Sequence, residues 1–491
     1  MSDLQIFGQS VGPDKVMCRF KWDYPIVNLM SGHIRNCCRT PKQVITESDL
    51  QTFKTNAIMN LPYERERRLE KLQGVTHKDC ASCLGLEQAQ TPSPRTGVER
   101  FMKDYWQLRE QKPMPSDWIT DFKNISERPL NLESPELFSH RISMLEIVLG
   151  NVCDLKCVYC SHHYSNQWAK ELIQSGELTQ EQYRKEFPEA PPSLEKVFWE
   201  WFYDEARYTV ERINFLGGEP TYMPKFYDNL DKLHHAFNDP ALKKRDKKVE
   251  IGVITNLNCT DATLTKFLTK VESMIDVVDF RIEPSMESVG VRAEYIRQNV
   301  SWDRFSGNMN RMLQFAKEKN FTAPRLMFAF QSALNAISIS SLPNFISWTQ
   351  SLIDRYGISI GIAQNIISFP RQYNPLILTP DFAFYLHDAL SLVSLNEERN
   401  DPDLMASTWD SRWSKFRIHL LEGLYETVKK GELTEFNIES RVRFFEFTHK
   451  LQQRRGKDFT AIFPEYKHFY TICKNHYLEN PHLQKDRIDV Q

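Results

Sequence analysis

From about residue 140 onward, short apolar runs alternate with longer stretches whose apolar positions recur every three or four residues. The runs Ser143–Leu149, Arg212–Leu216, Val249–Thr255, Val277–Ile282, Arg325–Phe330 and Ser359–Ala363 predict strands. The stretches Leu194–Glu211, Phe226–Phe237, Asp261–Val271, Ser306–Lys319 and Leu342–Arg355 predict helices. Repeated βα units imply a parallel sheet with helices outside it. Six of them predict a partial barrel or a doubly wound sheet over 141–375, followed by a helical region over 376–491. Ahead of them, residues 1–95 form a small cysteine-bearing region. Residues 96–140 read as a linker, with turn signals at Thr91–Pro94, Lys112–Ser116 and Glu133–Glu136 around an amphipathic helix near Gly97–Gln111.

Composition narrows the class. The net charge of −2 over 491 residues gives no basic excess of the kind a general nucleic-acid binder shows. The basic cluster Lys243–Lys248 reads as a solvated loop or helix end. No stretch approaches the run of about 20 apolar residues that a membrane span needs. The N-terminus lacks the basic start and apolar core of a signal peptide, so the expected location is the cytoplasm. Thiols there stay reduced, and the clustering of the ten cysteines points to metal ligands rather than disulfides.

Cys153, Cys157 and Cys160 have the spacing C-x3-C-x2-C and directly follow a predicted strand. They therefore sit on a loop at a strand's C-terminal end, where parallel α/β folds build their sites. A [4Fe–4S] cubane has four irons, so three cysteines leave one iron open. A zinc site completed by His162 or His163 is the competing reading. It accounts for neither the strand context nor the motifs that follow.

With an aromatic residue, Tyr159, before the last cysteine, this run resembles the signature of the radical S-adenosylmethionine (radical SAM) superfamily. The resemblance implies that S-adenosylmethionine chelates the open iron and is reductively cleaved to methionine and a 5′-deoxyadenosyl radical, which abstracts hydrogen from substrate. The segment from Ser161 to Trp168 also resembles that group, although Asp154 stands where many relatives have Asn. Leu216-Gly217-Gly218-Glu219-Pro220 is similar to the family's GGEP motif at the methionine amino group. Glycines let the backbone approach a ligand, and a carboxylate suits an ammonium. Thr255 and Asn256 end the third strand, where relatives place polar groups. Ser285 and Glu287 resemble an S-x-D segment, with Glu in place of Asp. Glu294–Arg297, Trp302 and Asn308 continue the likeness, and Ile362 falls in the strand that lines the adenine.

At the N-terminus Cys18, Gly32 and Cys37 make C-x13-G-x4-C, followed by Cys80 and Cys83 as C-x2-C. Four cysteines close an ordinary cluster, and a structural zinc ribbon is the alternative. The layout resembles a twitch domain, a shortened SPASM domain binding one auxiliary [4Fe–4S] cluster, placed here ahead of the barrel. Trp22, Asp23, Pro25 and the stretch Phe463–Tyr466 share the likeness. Spacing alone leaves Cys37 and Cys38 both open, and the glycine rule favours Cys37. Cys259 and Cys473 read as buried small apolar residues.

The fold that the resemblance implies is α/β: a partial (β/α)6 TIM-like radical SAM barrel with an N-terminal twitch-type iron–sulfur domain and a helical C-terminal region. The implied activity is oxidation or cross-linking: a flavodoxin- or ferredoxin-type donor reduces the loop cluster for S-adenosylmethionine cleavage, and the auxiliary cluster accepts the electron that the substrate radical gives up while a base removes a proton. Redox-neutral rearrangement or epimerisation is the second reading, and a non-catalytic zinc or iron–sulfur protein the third. Relatives that mature peptides often carry an N-terminal peptide-binding winged helix, for which this chain has no room before Cys18. The substrate class stays open among small metabolite, nucleotide, sugar and peptide. His33, His77, His162 and His163 lie near cluster ligands and are candidate proton carriers. None is assigned as the catalytic base.

Overall fold

A computed structural model of the chain describes residues 18, 20–38, 40–88, 93, 129–242, 248–399 and 410–484. The expected helix at Gly97–Gln111, the turn at Lys112–Ser116 and most of the basic run Lys243–Lys248 lie outside the described residues. The strands are β1 (Ile26–Asn28), β2 (His33–Arg35), β3 (Gln43–Val44), β4 (Met144–Val148), β5 (Arg212–Leu216), β6 (Glu250–Thr255), β7 (Asp279–Pro284), β8 (Leu326–Leu334) and β9 (Ile360–Ile366). The helices used below are α1 (Pro62–Leu72), α2 (Asn166–Gln174), α3 (Gln180–Glu186), α4 (Leu194–Asp204), α5 (Pro224–Phe237), α6 (Asp261–Met274), α7 (Trp302–Glu318), α8 (Leu342–Tyr356), α9 (Ala383–Arg399), α10 (Asp410–Lys430), α11 (Glu435–Arg455) and α12 (Lys467–Glu479). The architecture is mixed α/β. The chain divides into two compact units, one within 1–150, 187–215 and 235–249, the other within 151–186, 216–234 and 250–491.

In the first unit the strand order is β3-β2-β1-β4-β5. β1 and β2 form an antiparallel hairpin with Ile26 opposite Arg35, and β1 runs parallel to β4 with Ile26 opposite Glu146. The N-terminal cysteine region, expected as a small domain of its own, thus contributes a strand beside β4. Gly32 makes the hairpin turn at φ +69, where an added Cβ would meet the Pro191 ring at 2.9 Å. No strand was predicted before residue 140, because runs of two or three residues carry no readable period. The predicted helix Leu194–Glu211 ends early, at Asp204. Glu205 leaves helical geometry at φ −128, and a 3-10 turn follows at Ala206–Tyr208. The Glu211 and Arg212 amides then donate to the Ser143 carbonyl at 2.9 and 3.0 Å, so this stretch already belongs to the sheet edge. The α4 aromatics Phe198, Trp199, Trp201 and Phe202 are buried, and Phe202 meets Phe237 edge-on at 5.9 Å.

In the second unit β6, β7, β8 and β9 lie side by side in chain order, all parallel. Their order follows from the predicted βα repeats, with α6, α7 and α8 as the connecting helices. β8 runs four residues beyond its predicted end. Its strict in–out burial alternation places Gln331 among the less buried positions, so the apolar run breaks before the strand does. After residue 376 most of the described residues lie in α9 to α12, with 3-10 turns before α9 begins at Ala383. Here Phe444, Phe447, Phe459, Phe463, Tyr466 and Phe469 form one buried aromatic cluster. Cys259 and Cys473 are buried. Among the described residues no helix is long and apolar enough to cross a membrane.

Candidate metal and cofactor sites

The three-cysteine loop belongs to the second unit, and its shape is fixed through its backbone. The Lys156 and Val158 amides donate to the carbonyls of Gln298 and Ile296 at 2.9 and 2.8 Å. Ser165 caps α2 and donates its hydroxyl to the Leu155 carbonyl at 2.6 Å. Trp168, fully buried, donates its indole N–H to the Cys157 carbonyl at 2.8 Å. The Arg455 guanidinium lies 4.7 Å from the Trp168 ring. Ser165 and Trp168 therefore orient the loop itself. The Cys153 amide donates to Asn166 Oδ1 at 3.2 Å.

Asp154 is clamped by amides. It accepts from Asn256 Nδ2 and Asn258 Nδ2, each at 2.7 Å, while Asn299 Nδ2 donates to its carbonyl at 3.0 Å. Asn256 Nδ2 also lies 3.8 Å from Cys153 Sγ. An Asp next to the first cysteine is thus built in by two side chains that an Asn there could satisfy only in part. The sequence singled out Asn256 but not Asn258 or Asn299. The signal was the polar alternation Thr255-Asn256-Leu257-Asn258 running past the end of β6.

Gly217 and Gly218 adopt φ +87 and +51. The Glu219 amide then donates to the Val152 carbonyl at 2.7 Å, which ties the glycine turn to the residue before Cys153. The Glu219 carboxylate is fully buried and accepts from Thr221 N and Oγ1 (3.1 and 2.7 Å), Thr255 Oγ1 (2.7 Å) and Asn256 N (2.5 Å). It joins this turn to the end of β6 through residues of its own chain. Pro220 opens the 3-10 turn that follows.

Burial pushes the Glu219 carboxyl up to about 7, against the pull of those four donors. Between about pH 4.5 and 7 the unfolded chain ionises Glu219 while the folded chain keeps the proton, so stability falls as pH rises through that window. The shift corresponds to roughly 3 kcal/mol. Thermal unfolding of the metal-free chain is expected to show this decline in Tm, and Glu219→Gln should flatten it. An unchanged slope in the variant would remove Glu219 as its source.

Glu287, expected to face S-adenosylmethionine, is fully buried with its carboxylate committed within the chain. It pairs with Arg297 at 2.6 Å and accepts from the Tyr159 hydroxyl at 3.2 Å. Arg297 Nη1 lies 3.9 Å from Cys157 Sγ. Burial opposes the Arg297 charge, but the Glu287 carboxylate outweighs it and holds the guanidinium protonated. Tyr159, Glu287 and Arg297 thus form one buried group against a loop cysteine. Arg297 stood in the sequence only as one letter of a resembling run. The Ser285 amide donates to the Thr255 carbonyl at 2.8 Å, placing these two residues together where β6 and β7 end. Ile362 is partly buried on β9, against the aromatic core. Burial pushes the Cys160 thiol up to about 11 and Cys157 up to about 12, and raises Cys153 as well. Any metal bound through these thiols would displace their protons.

The second cysteine set lies within the first unit. Cys18, Cys37, Cys80 and Cys83 line one pocket together with Lys21 and Lys71. Cys38 is exposed and is not among its walls. The β1–β2 hairpin returns the chain toward Cys37, whose φ of 142 is rare for any residue but glycine. Cys80 ends a 3-10 turn capped by His77, and Cys83 lies on the helix that follows. The donor set fits an iron–sulfur cluster, because four cysteines around one pocket can ligate all four irons of a cubane. Burial and the neighbouring Cys37 raise the Cys18 thiol, while Lys71 draws it down. Lys21 pairs with Glu64 at 3.5 Å, both buried.

No family model matches this chain, and no curated protein does. Among solved structures it is similar to Streptococcus suis SuiB bound to S-adenosylmethionine, with 12% identity and a TM-score of 0.25 over 70% of this chain and 73% of that one. SuiB bound to the precursor peptide SuiA is similar at 12% identity and TM-score 0.25, over 69% of this chain and 70% of that one. At such scores these likenesses carry no argument, and the functional reading rests on the residues.

Proposed function

We propose that this chain is a radical SAM oxidoreductase with an auxiliary [4Fe–4S] cluster. The observation that carries the reading is the three-cysteine loop. Its carbonyls and amides are fixed by Ser165, Trp168, Ile296 and Gln298, and the glycine turn is tied to Val152. In this reading Cys153, Cys157 and Cys160 hold three irons and leave the fourth for S-adenosylmethionine. Cluster and S-adenosylmethionine together supply one-electron cleavage of the sulfonium and the hydrogen abstraction that follows.

The chain's own residues hold and orient. Gly217, Gly218, Glu219 and Pro220 shape the turn that receives the methionine end, and Thr255, Asn256 and Ser285 present polar groups beside it. Tyr159, Glu287 and Arg297 brace the loop from its buried side, with the Arg297 charge next to Cys157. Ile362 offers apolar surface for the adenine. Parallel β6–β9 in chain order supply one wall of a partial barrel. Cys18, Cys37, Cys80 and Cys83 hold the auxiliary cluster with all four irons ligated, which suits electron transfer better than direct substrate ligation. A flavodoxin- or ferredoxin-type protein supplies the first electron. Zinc at the cysteines is the weaker reading. Among the described residues, the group drawn to within 4.8 Å, as around a single ion, is His162, His163 and Glu186, and it contains no cysteine.

Anaerobic reconstitution with iron and sulfide, then dithionite and S-adenosylmethionine, tests the proposal. The wild-type chain is expected to yield 5′-deoxyadenosine, and Cys160→Ala to lose it by at least about 1,000-fold. Equal yields from the two proteins would overturn the assignment of the loop.

A further inference from the structure

Two residues beyond Cys160, the backbone presents a pair of histidines to a helix that carries little apolar burial. Helix α3 (Gln180–Glu186) has no buried residue. Tyr183 packs, partly buried, against the neighbouring core, and its other contacts are polar. Asn151 Nδ2 donates both to the Tyr183 hydroxyl at 2.8 Å and to the His162 carbonyl at 3.2 Å. At the end of the helix, Glu186 Oε2 lies 2.6 Å from His162 Nε2 and 3.4 Å from His163 Nε2. The two rings are 4.2 Å apart, tilted by 42°. His162 is buried, His163 partly so, and Glu186 is exposed.

We propose that His162, His163 and Glu186 form a mononuclear site for a zinc-class divalent cation, separate from the cysteine sites. A single hydrogen-bonded His–Glu pair needs only one imidazole. Here a second imidazole nitrogen turns toward the same carboxylate oxygen, and the three donor atoms all lie within 4.8 Å of one another. Two imidazoles and one carboxylate are a ligand set of three-coordinate zinc sites that keep a fourth position for water. Bonds of about 2.0–2.2 Å from a central ion need only small side-chain movements from these positions.

The consequence is mechanical. A short helix anchored through one partly buried tyrosine is marginal by itself. A metal bond from Glu186 to the two histidines fastens α3 to the segment that continues the three-cysteine loop. The site does not depend on iron at that loop, because none of its ligands is a cysteine.

The test uses the full chain after iron–sulfur reconstitution, titrated with zinc chloride against a chromophoric chelator. One zinc per chain is expected, with an X-ray absorption first shell of nitrogen and oxygen only. His163→Ala and Glu186→Gln should each weaken binding by at least about 100-fold, since even residues outside the ligand shell are commonly worth about 10–100-fold. Glu186 is exposed at a helix end, so Glu186→Gln tests the ligand without disturbing a core. Zinc should also slow amide hydrogen exchange across Gln180–Glu186 in the wild type but not in either variant. Zinc affinity unchanged by Glu186→Gln, or a first shell containing sulfur, would overturn the proposal.

Discussion

Gly218→Ala is expected to abolish S-adenosylmethionine cleavage while leaving the chain folded. Gly218 sits at φ +51, and an added Cβ would lie 2.7 and 2.9 Å from Val152 C and N and closer still to its carbonyl oxygen. All three atoms are backbone, so no side chain can swing aside. The left-handed conformation costs a non-glycine residue about 1–2 kcal/mol, and the clash adds a forced backbone shift. That shift falls on the residue before Cys153 and breaks the Glu219-to-Val152 hydrogen bond of 2.7 Å. Displacement of reacting groups by about 1 Å commonly costs about 100-fold. We expect 5′-deoxyadenosine formation to drop by at least that factor. Gly176→Ala is the control: it has a similar φ of +75, but its added Cβ meets nothing within 4 Å. Similar losses in the two variants would show that left-handed strain, and not contact with the cysteine loop, is responsible.

The second large effect belongs to Arg68. Its side chain is fully buried in α1 and donates to four acceptors: the carbonyls of Lys21, Met59 and Leu137 at 2.8, 2.8 and 2.7 Å, and Asn60 Oδ1 at 2.8 Å. Burial draws its pKa down to about 10, so it stays charged at neutral pH. Arg68→Ala leaves those acceptors buried without their donor, a loss of about 3–5 kcal/mol. Lysine cannot replace the fork, because its donors radiate from a single nitrogen. Lys21 and Lys71 line the four-cysteine pocket, so the damage should fall there first. Denaturant unfolding is expected to shift to lower midpoint. Iron after reconstitution should fall from about eight to about four per chain, a cubane holding four. Full iron loading in Arg68→Ala would separate α1 from the auxiliary site.

These two residues also mark where the sequence was legible and where it was not. A C-x3-C-x2-C loop after an apolar run and a glycine pair after the next strand can be read because the chemistry fixes both residue type and spacing. The strands of the second unit were legible because β6, β8 and β9 carry apolar runs through their middles; β7, which alternates charged and apolar residues, was legible through its place between two predicted helices. Arg68 was not. It lies in Pro62–Leu72, a segment so rich in charge that it reads as a solvated face, yet Glu64, Arg65, Arg68 and Lys71 are all buried there. Their partners include backbone carbonyls and a pocket of thiols, which leave no mark in a hydropathy pattern. Glu186 was hidden for a related reason, as one acid among charged neighbours and 24 positions from His162. The overlong prediction for α4 had a different origin. Its aromatic run continues a helical spacing past Asp204, and only the hydrogen bonds of Glu211 and Arg212 to Ser143 show the chain turning to strand.

The most direct test of the central claim is electron paramagnetic resonance of the dithionite-reduced Cys80→Ala/Cys83→Ala chain, which removes the auxiliary ligands and leaves the loop at 153–160 intact. The account predicts a [4Fe–4S]+ signal whose g-values change on adding S-adenosylmethionine, because that cluster has an iron open to it. A signal indifferent to S-adenosylmethionine, or one that survives Cys157→Ala, would contradict it.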